Sequence, residues 1–257
     1  MIYHVWTKVY FMTRFCNKRI IITGGTSGIG LAGAKTIIDE GGKLCITGLN
    51  PQRVEAARNH FSEDIIVLCN DAAEPADVNQ LVEAAERLGG IDGLWLNAGC
   101  ANISPLEGVN SVFFDAMMET NVRGPALQMA SLSPLLNDGA SVVITASSAV
   151  YEGAALVSTY AATKGALVAM ARSWARELAP RNIRVNVINP GPIESNLRSF
   201  LSDQARQEFE KSVIAQVPLG RIGRADEAAA VALFLLSDDA SYVTGSQIAV
   251  DGGLISL

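Results

Sequence analysis

The sequence predicts a doubly wound α/β fold: one domain around a seven-stranded parallel sheet. Three observations lead there. Short apolar runs rich in β-branched residues recur without the polar alternation of a half-solvated sheet. Patterns with helical spacing separate them, and strands that alternate with helices imply parallel pairing. The first apolar run passes through a glycine-rich turn straight into a helical pattern, Arg19-Ile-Ile-Ile-Thr-Gly-Gly-Thr-Ser-Gly-Ile-Gly30.

In chain order, Ile20 to Ile22 place the first strand at Arg19–Thr23, and the helix after it runs over Gly28–Glu40 to the stop signal Gly41-Gly42. Strand Lys43–Thr47 and helix Pro51–His60 come next, then strand Ile65–Leu68 and helix Pro75–Leu88. Strand Gly93–Asn97 precedes the long helical pattern Ser111–Leu136. Strand Ser141–Ser147 precedes the helix Thr159–Ala179, and strand Arg184–Asn189 follows it. Helix Asp226–Leu236 and strand Gln247–Val250 complete the alternation. The segment Ile193 to Val217 is irregular, with Leu197, Phe200, Leu201, Phe209 and Val213 among mixed residues. It reads equally as an amphipathic surface helix or as a cover over a site.

A chain of 257 residues can bury one large core. Hydrophobic residues at 49% and charged ones at 18% leave little that could be disordered. The net charge of −6 argues against nucleic acid as a partner. No apolar run approaches the ~18 residues of a membrane span, so no membrane role is expected; Ala228 to Leu236 reads as a buried helix. Cys16, Cys45, Cys69 and Cys100 form no C-x-x-C, and only His4 and His60 accompany them, so no metal site is expected. Cys45 and Cys69 read as small apolar strand residues. A reducing, cytoplasmic location fits free thiols. Residues 1–11, MIYHVWTKVYF, form an aromatic extension before the domain at 12–257. They are either an upstream start or an arm that packs on a neighbouring subunit.

The chemistry concentrates in Tyr160-Ala-Ala-Thr-Lys164. Residues four apart share a helix face, so the phenol and the ammonium point the same way. Tyrosine titrates near pH 10 unperturbed, and a fixed cation favours its phenolate. The pair is therefore a candidate proton donor and acceptor. The glycines of Thr23 to Gly30 supply a second feature. A strand, a glycine turn and a helix N-terminus together let a backbone approach a pyrophosphate.

Further motifs stand in order along the chain: Asn97-Ala-Gly99, Glu119-Thr-Asn-Val-Arg-Gly124, Asn189-Pro-Gly-Pro-Ile-Glu-Ser195 and Val250-Asp-Gly-Gly253. From about Phe15 onward the chain resembles the short-chain dehydrogenase/reductase family, in its short single-domain, 3-oxoacyl-carrier-protein-reductase-like branch. The resemblance implies a Rossmann-type fold and an NAD(P)-dependent oxidoreductase acting on a small carbonyl or alcohol. The alternative class is a dinucleotide-binding sensor or scaffold without turnover, which usually lacks the tyrosine or the lysine.

The resemblance also implies roles. Tyr160 becomes the general acid or base, and Lys164 its modulator and ribose ligand. Asn121 disturbs its helix and holds a proton-relay water. A serine holds the substrate oxygen; Ser147, thirteen positions before the tyrosine, is preferred to Ser148. The cofactor is expected on Gly24, Thr26, Ser27, Gly28, Ile29, Gly30, Leu49, Asp71, Asn97, Ala98, Gly99, Tyr160, Lys164, Pro190, Gly191, Ile193 and Ser195. Taken alone, Asp71 also reads as a turn or cap residue before Pro75. An aspartate at the Gly48 position would select NAD, and an arginine at the Leu49 position would select NADP. The chain has neither, and Ser27 supplies no cation. NAD or NADP is expected, with a lean to NAD. Apolar residues of Ser111–Leu136 and Thr159–Ala179, among them Met117, Met118, Leu127, Met129, Val168, Met170 and Trp174, exceed what one sheet face needs; in the family that the chain resembles these two helices pair across a two-fold axis and the C-terminal strand packs across another, which implies a two-fold symmetric homotetramer.

Overall fold

The structure, a computed structural model, describes residues 13–194, 204 and 211–255. The N-terminal extension at 1–11 lies outside these residues, as do Leu197, Phe200, Leu201 and Phe209 of the irregular segment. Seven parallel strands form one sheet in the order β3-β2-β1-β4-β5-β6-β7. They are β1 Arg19–Ile22, β2 Lys43–Gly48, β3 Ile66–Cys69, β4 Ile91–Leu96, β5 Leu136–Thr145, β6 Arg184–Pro190 and β7 Gln247–Val250. The helices that flank the sheet include α1 Gly28–Asp39, α2 Pro51–His60, α3 Val78–Leu88, α4 Ser111–Met118, α5 Gly124–Leu132, α6 Ala149–Glu152, α7 Ser158–Leu178 and α8 Ala225–Leu236.

Alternation along each strand feeds two cores. Ile20 and Ile22 join Ala34 and Ile37 of α1, Val54 of α2, and Ala232 and Leu233 of α8 on one face. Ile21 joins Leu81 of α3, Met129 and Leu132 of α5, and Leu167 and Ala171 of α7 on the other. Burial of each large aliphatic side chain contributes about 1.5–3 kcal/mol. Trp95 fixes the approach of α1: a Cβ on Gly33 would lie 2.3 Å from its ring. Strand order reverses beside β1, with β2 on one side and β4 on the other. That reversal opens a crevice at the carboxyl ends of the strands, where ligands of such sheets bind.

The fold class holds, and two elements depart from expectation. The long helix expected over Ser111–Leu136 is broken. A π-helical turn, Glu119–Arg123, separates α4 from α5, and a 3-10 turn follows at Ser133–Leu135 around Pro134. Leu136 already belongs to β5, where it pairs with Ile91 before a register shift. The second departure is Cys69, at the carboxyl end of β3, which is exposed rather than packed in the core.

The apolar surplus assigned to a subunit interface is also smaller than expected. Met117, Met129 and Val168 are buried in the chain's own core, and Met170 and Trp174 pack against it. Leu127 remains exposed, together with Val112 and Phe114 on α4.

Candidate active site

The glycine turn is built by close approach. Gly24 has φ +67°, and a Cβ there would sit 2.9 Å from the Ala98 Cα. Gly28 opens α1 with φ +54°. Gly30 faces the strands: its Cβ would meet the Gly24 carbonyl oxygen at 2.5 Å and Asn97 Nδ2 at 2.6 Å. These are the three jobs a dinucleotide loop needs, a tight turn, a bare approach and close helix–strand packing. Ser27 is the N-cap of α1, yet its side chain caps no N–H. The first turn of the helix, with Ile29, therefore presents backbone donors to the crevice. The residues fit the pyrophosphate of a nicotinamide dinucleotide.

Asn97 locks this loop to β4 and β5. Its Nδ2 donates to the carbonyls of Thr23 and Gly24, both at 3.2 Å. Its Oδ1 accepts from Thr145 Oγ1 at 3.0 Å, and Thr145 Oγ1 accepts from Trp95 Nε1 at 2.9 Å. Thr23 Oγ1 takes the backbone N–H groups of Asn97 and Ala98. Beyond the carboxyl end of β2, Leu49 is 64% exposed, so nothing apolar claims its surface. Thr26 is buried against Gly48. Asp71 accepts the Ala73 N–H at 2.9 Å and donates its own N–H to Asp77 Oδ2 at 2.7 Å. It shapes a turn, while Glu74 rather than Asp71 caps the helical turn at Pro75.

The catalytic candidates converge at the ends of β4 and β5. The π turn places Asn121 fully buried. Its Oδ1 accepts the Cys100 N–H at 2.8 Å, and its Nδ2 donates to the Cys100 carbonyl at 2.9 Å and to Thr163 Oγ1 at 3.1 Å. Thr163 Oγ1 in turn donates to the Tyr160 carbonyl at 2.7 Å. Lys164 is buried and its Nζ donates to the Thr145 carbonyl at 3.0 Å. That nitrogen lies 5.9 Å from the centre of the Tyr160 ring, as the four-residue spacing requires. Burial pushes Lys164 down to about 8, and the nearby Cys100 thiol opposes the fall. Burial raises the Cys100 thiol. Gly99 closes over the group: a Cβ there would lie 3.1 Å from both Asn121 Oδ1 and Lys164 Nζ.

The two serines differ. Ser147 Oγ accepts the Ala149 N–H at 3.2 Å. Ser148 is the more buried; its hydroxyl donates to the Glu152 carboxylate and its N–H to the Pro190 carbonyl. Gly191 packs on Asp251, where a Cβ would meet the Asp251 Cβ at 2.6 Å. Ile193 is buried and bridges to Gly223. Ser195 lies outside the described residues. Sequence reasoning missed Thr145 and Thr163, which anchor Lys164 and Asn121. Thr163 stands inside the Tyr160–Lys164 motif and Thr145 ends β5 two residues before Ser147, but the partners of both lie far along the sequence.

Known proteins match the chain over nearly its whole length. A family model described as "Enoyl-(Acyl carrier protein) reductase" matches residues 24–255. The chain is 36% identical over 249 residues to the oxidoreductase asL5 of Sarocladium schorii, covering 95% of this chain and 98% of that protein. It is 33% identical to the 3-oxoacyl-[acyl-carrier-protein] reductase FabG of Thermotoga maritima over 94% of this chain and 99% of that one. Among solved structures, a short-chain dehydrogenase/reductase from Brucella melitensis superposes with a TM-score of 0.89 at 35% identity, covering 95% and 99% of the two chains. A short-chain dehydrogenase from Burkholderia cenocepacia in complex with NADP gives 0.86 at 29% identity over 94% and 99%. The chain belongs to the short-chain dehydrogenase/reductase family and is an NAD(P)-dependent oxidoreductase of the CH–OH/C=O class.

Proposed function

We propose that Tyr160 is the general acid of carbonyl reduction and the general base of alcohol oxidation, and that Lys164, Asn121 and Ser147 complete the catalytic group. The observation that carries this is the Lys164 ammonium, buried and fixed on the Thr145 carbonyl beside the Tyr160 ring. A cation held there favours the phenolate and so eases proton transfer at the substrate oxygen. When bound, the nicotinamide supplies or accepts the hydride. Tyr160 gives its hydroxyl proton to the substrate oxygen in reduction and takes it back in oxidation. Ser147 orients that oxygen; Ser148 is the weaker candidate because its hydroxyl is engaged by Glu152. Asn121 holds the Cys100 backbone and Thr163, which keeps the floor of the site from shifting under Lys164.

The cofactor would be held by Gly24, Thr26, Ser27, Gly28, Ile29, Gly30, Leu49, Asp71, Asn97, Ala98, Gly99, Pro190, Gly191, Ile193 and Ser195, with Tyr160 and Lys164 at the nicotinamide ribose. With Gly48 and Leu49 offering neither carboxylate nor guanidinium, discrimination is shallow and favours NAD. NADP in the related Burkholderia structure makes that lean the part most worth testing. The substrate is a small carbonyl or alcohol compound. Free Cys16, Cys45, Cys69 and Cys100 suit a cytoplasmic protein, and no helix among the described residues is long and apolar enough to cross a membrane.

Assembly into a two-fold symmetric homotetramer is supported by apolar residues left exposed on two faces. These are Val112, Phe114 and Leu127 on one, and Phe234 and Tyr242 on the other. Light scattering at micromolar concentration should report four subunits; a monomer refutes the assembly. The test of activity is a screen of ketones and secondary alcohols, followed by absorbance of the reduced nicotinamide. Turnover is expected with at least one pair; tight cofactor binding without turnover across a broad panel would point to a sensor instead.

A further inference from the structure

We propose that Thr26 is a specificity-determining residue: its side chain occupies the space that an acidic reader of the adenine ribose would need at position 48. This rests on the dinucleotide reading of the glycine loop. Gly48 is the buried last residue of β2. A Cβ built there would lie 2.1 Å from Thr26 Oγ1, 2.8 Å from its Cγ2 and 2.9 Å from its Cβ. Rotation of the threonine does not relieve this, because both branches of the side chain and its root all stand in the way. Gly48 is not in the left-handed backbone region, so its own conformation accepts any residue. What demands glycine is Thr26.

Neither backbone can recede. Gly48 is paired with Cys69 of β3 and its carbonyl takes the Asn70 N–H at 3.0 Å. The Thr26 side is fastened by the Gly25 N–H on the Thr47 carbonyl at 2.8 Å and the Gly24 N–H on Thr47 Oγ1 at 3.2 Å. On the far side, a Cβ on Gly25 would already be 2.7 Å from Ile46. Threonine at 26 and any side chain at 48 therefore exclude each other. The missing carboxylate is a consequence of the loop rather than an independent choice at the end of β2. Acquiring a carboxylate at 48 requires a change at 26 first.

The test titrates NAD and NADP calorimetrically against the parent and the variants Gly48→Asp, Thr26→Gly and Thr26→Gly/Gly48→Asp, with thermal melting of each. Gly48→Asp alone should melt lower than the parent and bind both cofactors more weakly. The double variant should recover the melting temperature and shift the NAD-to-NADP affinity ratio toward NAD by at least roughly tenfold, the size of one charge-assisted contact. A Gly48→Asp single variant that shifts the ratio as far as the double overturns the proposal. If neither aspartate variant folds, Gly48→Ala carries the test: Thr26→Gly must restore its melting temperature, and no restoration overturns the proposal. A parent that binds neither dinucleotide removes the cofactor reading itself, and the role of Thr26 with it.

Discussion

The crevice has two walls made by opposite means. The glycine turn between β1 and α1 is a cradle of missing side chains, in which backbone approaches backbone until a single carbon no longer fits at Gly24 or Gly30. The wall around Asn121 and Lys164 is made of polar groups taken out of water and satisfied one by one, on Cys100, Thr163 and Thr145. The first is specified by sterics and tolerates no addition. The second is specified by hydrogen bonds in a low-dielectric setting and tolerates no unpaired loss. The cradle wall should govern binding, and the polar wall should govern chemistry. Substitutions in each can test that division.

The largest effect belongs to the polar wall. Tyr160→Phe keeps the ring and removes the proton, so turnover should fall by about 10²–10⁴-fold. Cofactor affinity should stay near that of the parent. Unchanged turnover of a verified substrate, measured by steady-state kinetics, would remove Tyr160 from the reaction.

Lys164 gives a second break point, in stability against pH. Burial lowers it to about 8 from the ordinary lysine value of 10.5. Between those values the unfolded chain binds more protons than the folded one, so stability rises with pH across that window. Below about 8 both states are protonated, and the full burial penalty stands, on the order of 3 kcal/mol. The Cys100 thiol, raised by burial, works in the opposite sense at alkaline pH. Comparison with Lys164→Met isolates the lysine: denaturant melts from pH 7.5 to 10 should show the parent gaining on the variant. Parallel stability curves would mean that Lys164 is not desolvated.

These two walls were unequally legible in the sequence. The glycine turn was readable because its requirement is local: Gly24, Gly28 and Gly30 sit at fixed offsets from the Ile20–Ile22 strand. The π turn at Glu119–Arg123 was not readable from spacing, because Ser111 to Leu136 reads as one helical apolar pattern; only the family resemblance implied a disturbance at Asn121. Thr145 and Thr163 were missed for a related reason. Their roles are long-range, across 19 positions to Lys164 and 42 to Asn121, and a buried threonine looks like any β-branched core residue. The Gly48 contact with Thr26 was invisible for the same cause: both residues read as features of separate elements.

Gly30→Ala probes the cradle wall directly. Its added carbon would press on the Gly24 carbonyl and on Asn97 Nδ2, and overpacking of this kind costs about 1–3 kcal/mol. Cofactor affinity should drop about tenfold or more, while the turnover rate at saturating cofactor changes less. A variant with parental affinity and a lower saturated rate would reverse the division of labour between the walls.

The smallest expected effect sharpens the end of the cradle beyond β2, where Gly48 and Leu49 offer no charge. Leu49 is mostly exposed, so a longer side chain meets no packed neighbour there and the substitution leaves the core alone. A guanidinium at this position can make a charge-assisted contact with a 2′-phosphate, about 1.5–3 kcal/mol. Tenfold in affinity corresponds to about 1.4 kcal/mol. Leu49→Arg should therefore tighten NADP binding by at least roughly tenfold and leave NAD little changed, because NAD carries nothing for the guanidinium to hold. Titration of both cofactors against both proteins reads the difference. A parent that already holds NADP far more tightly than NAD would identify another cation as the reader, with Arg53, exposed in the first turn of α2, as the nearest in sequence. In that case Leu49→Arg should add little, and Arg53→Ala should abolish the preference.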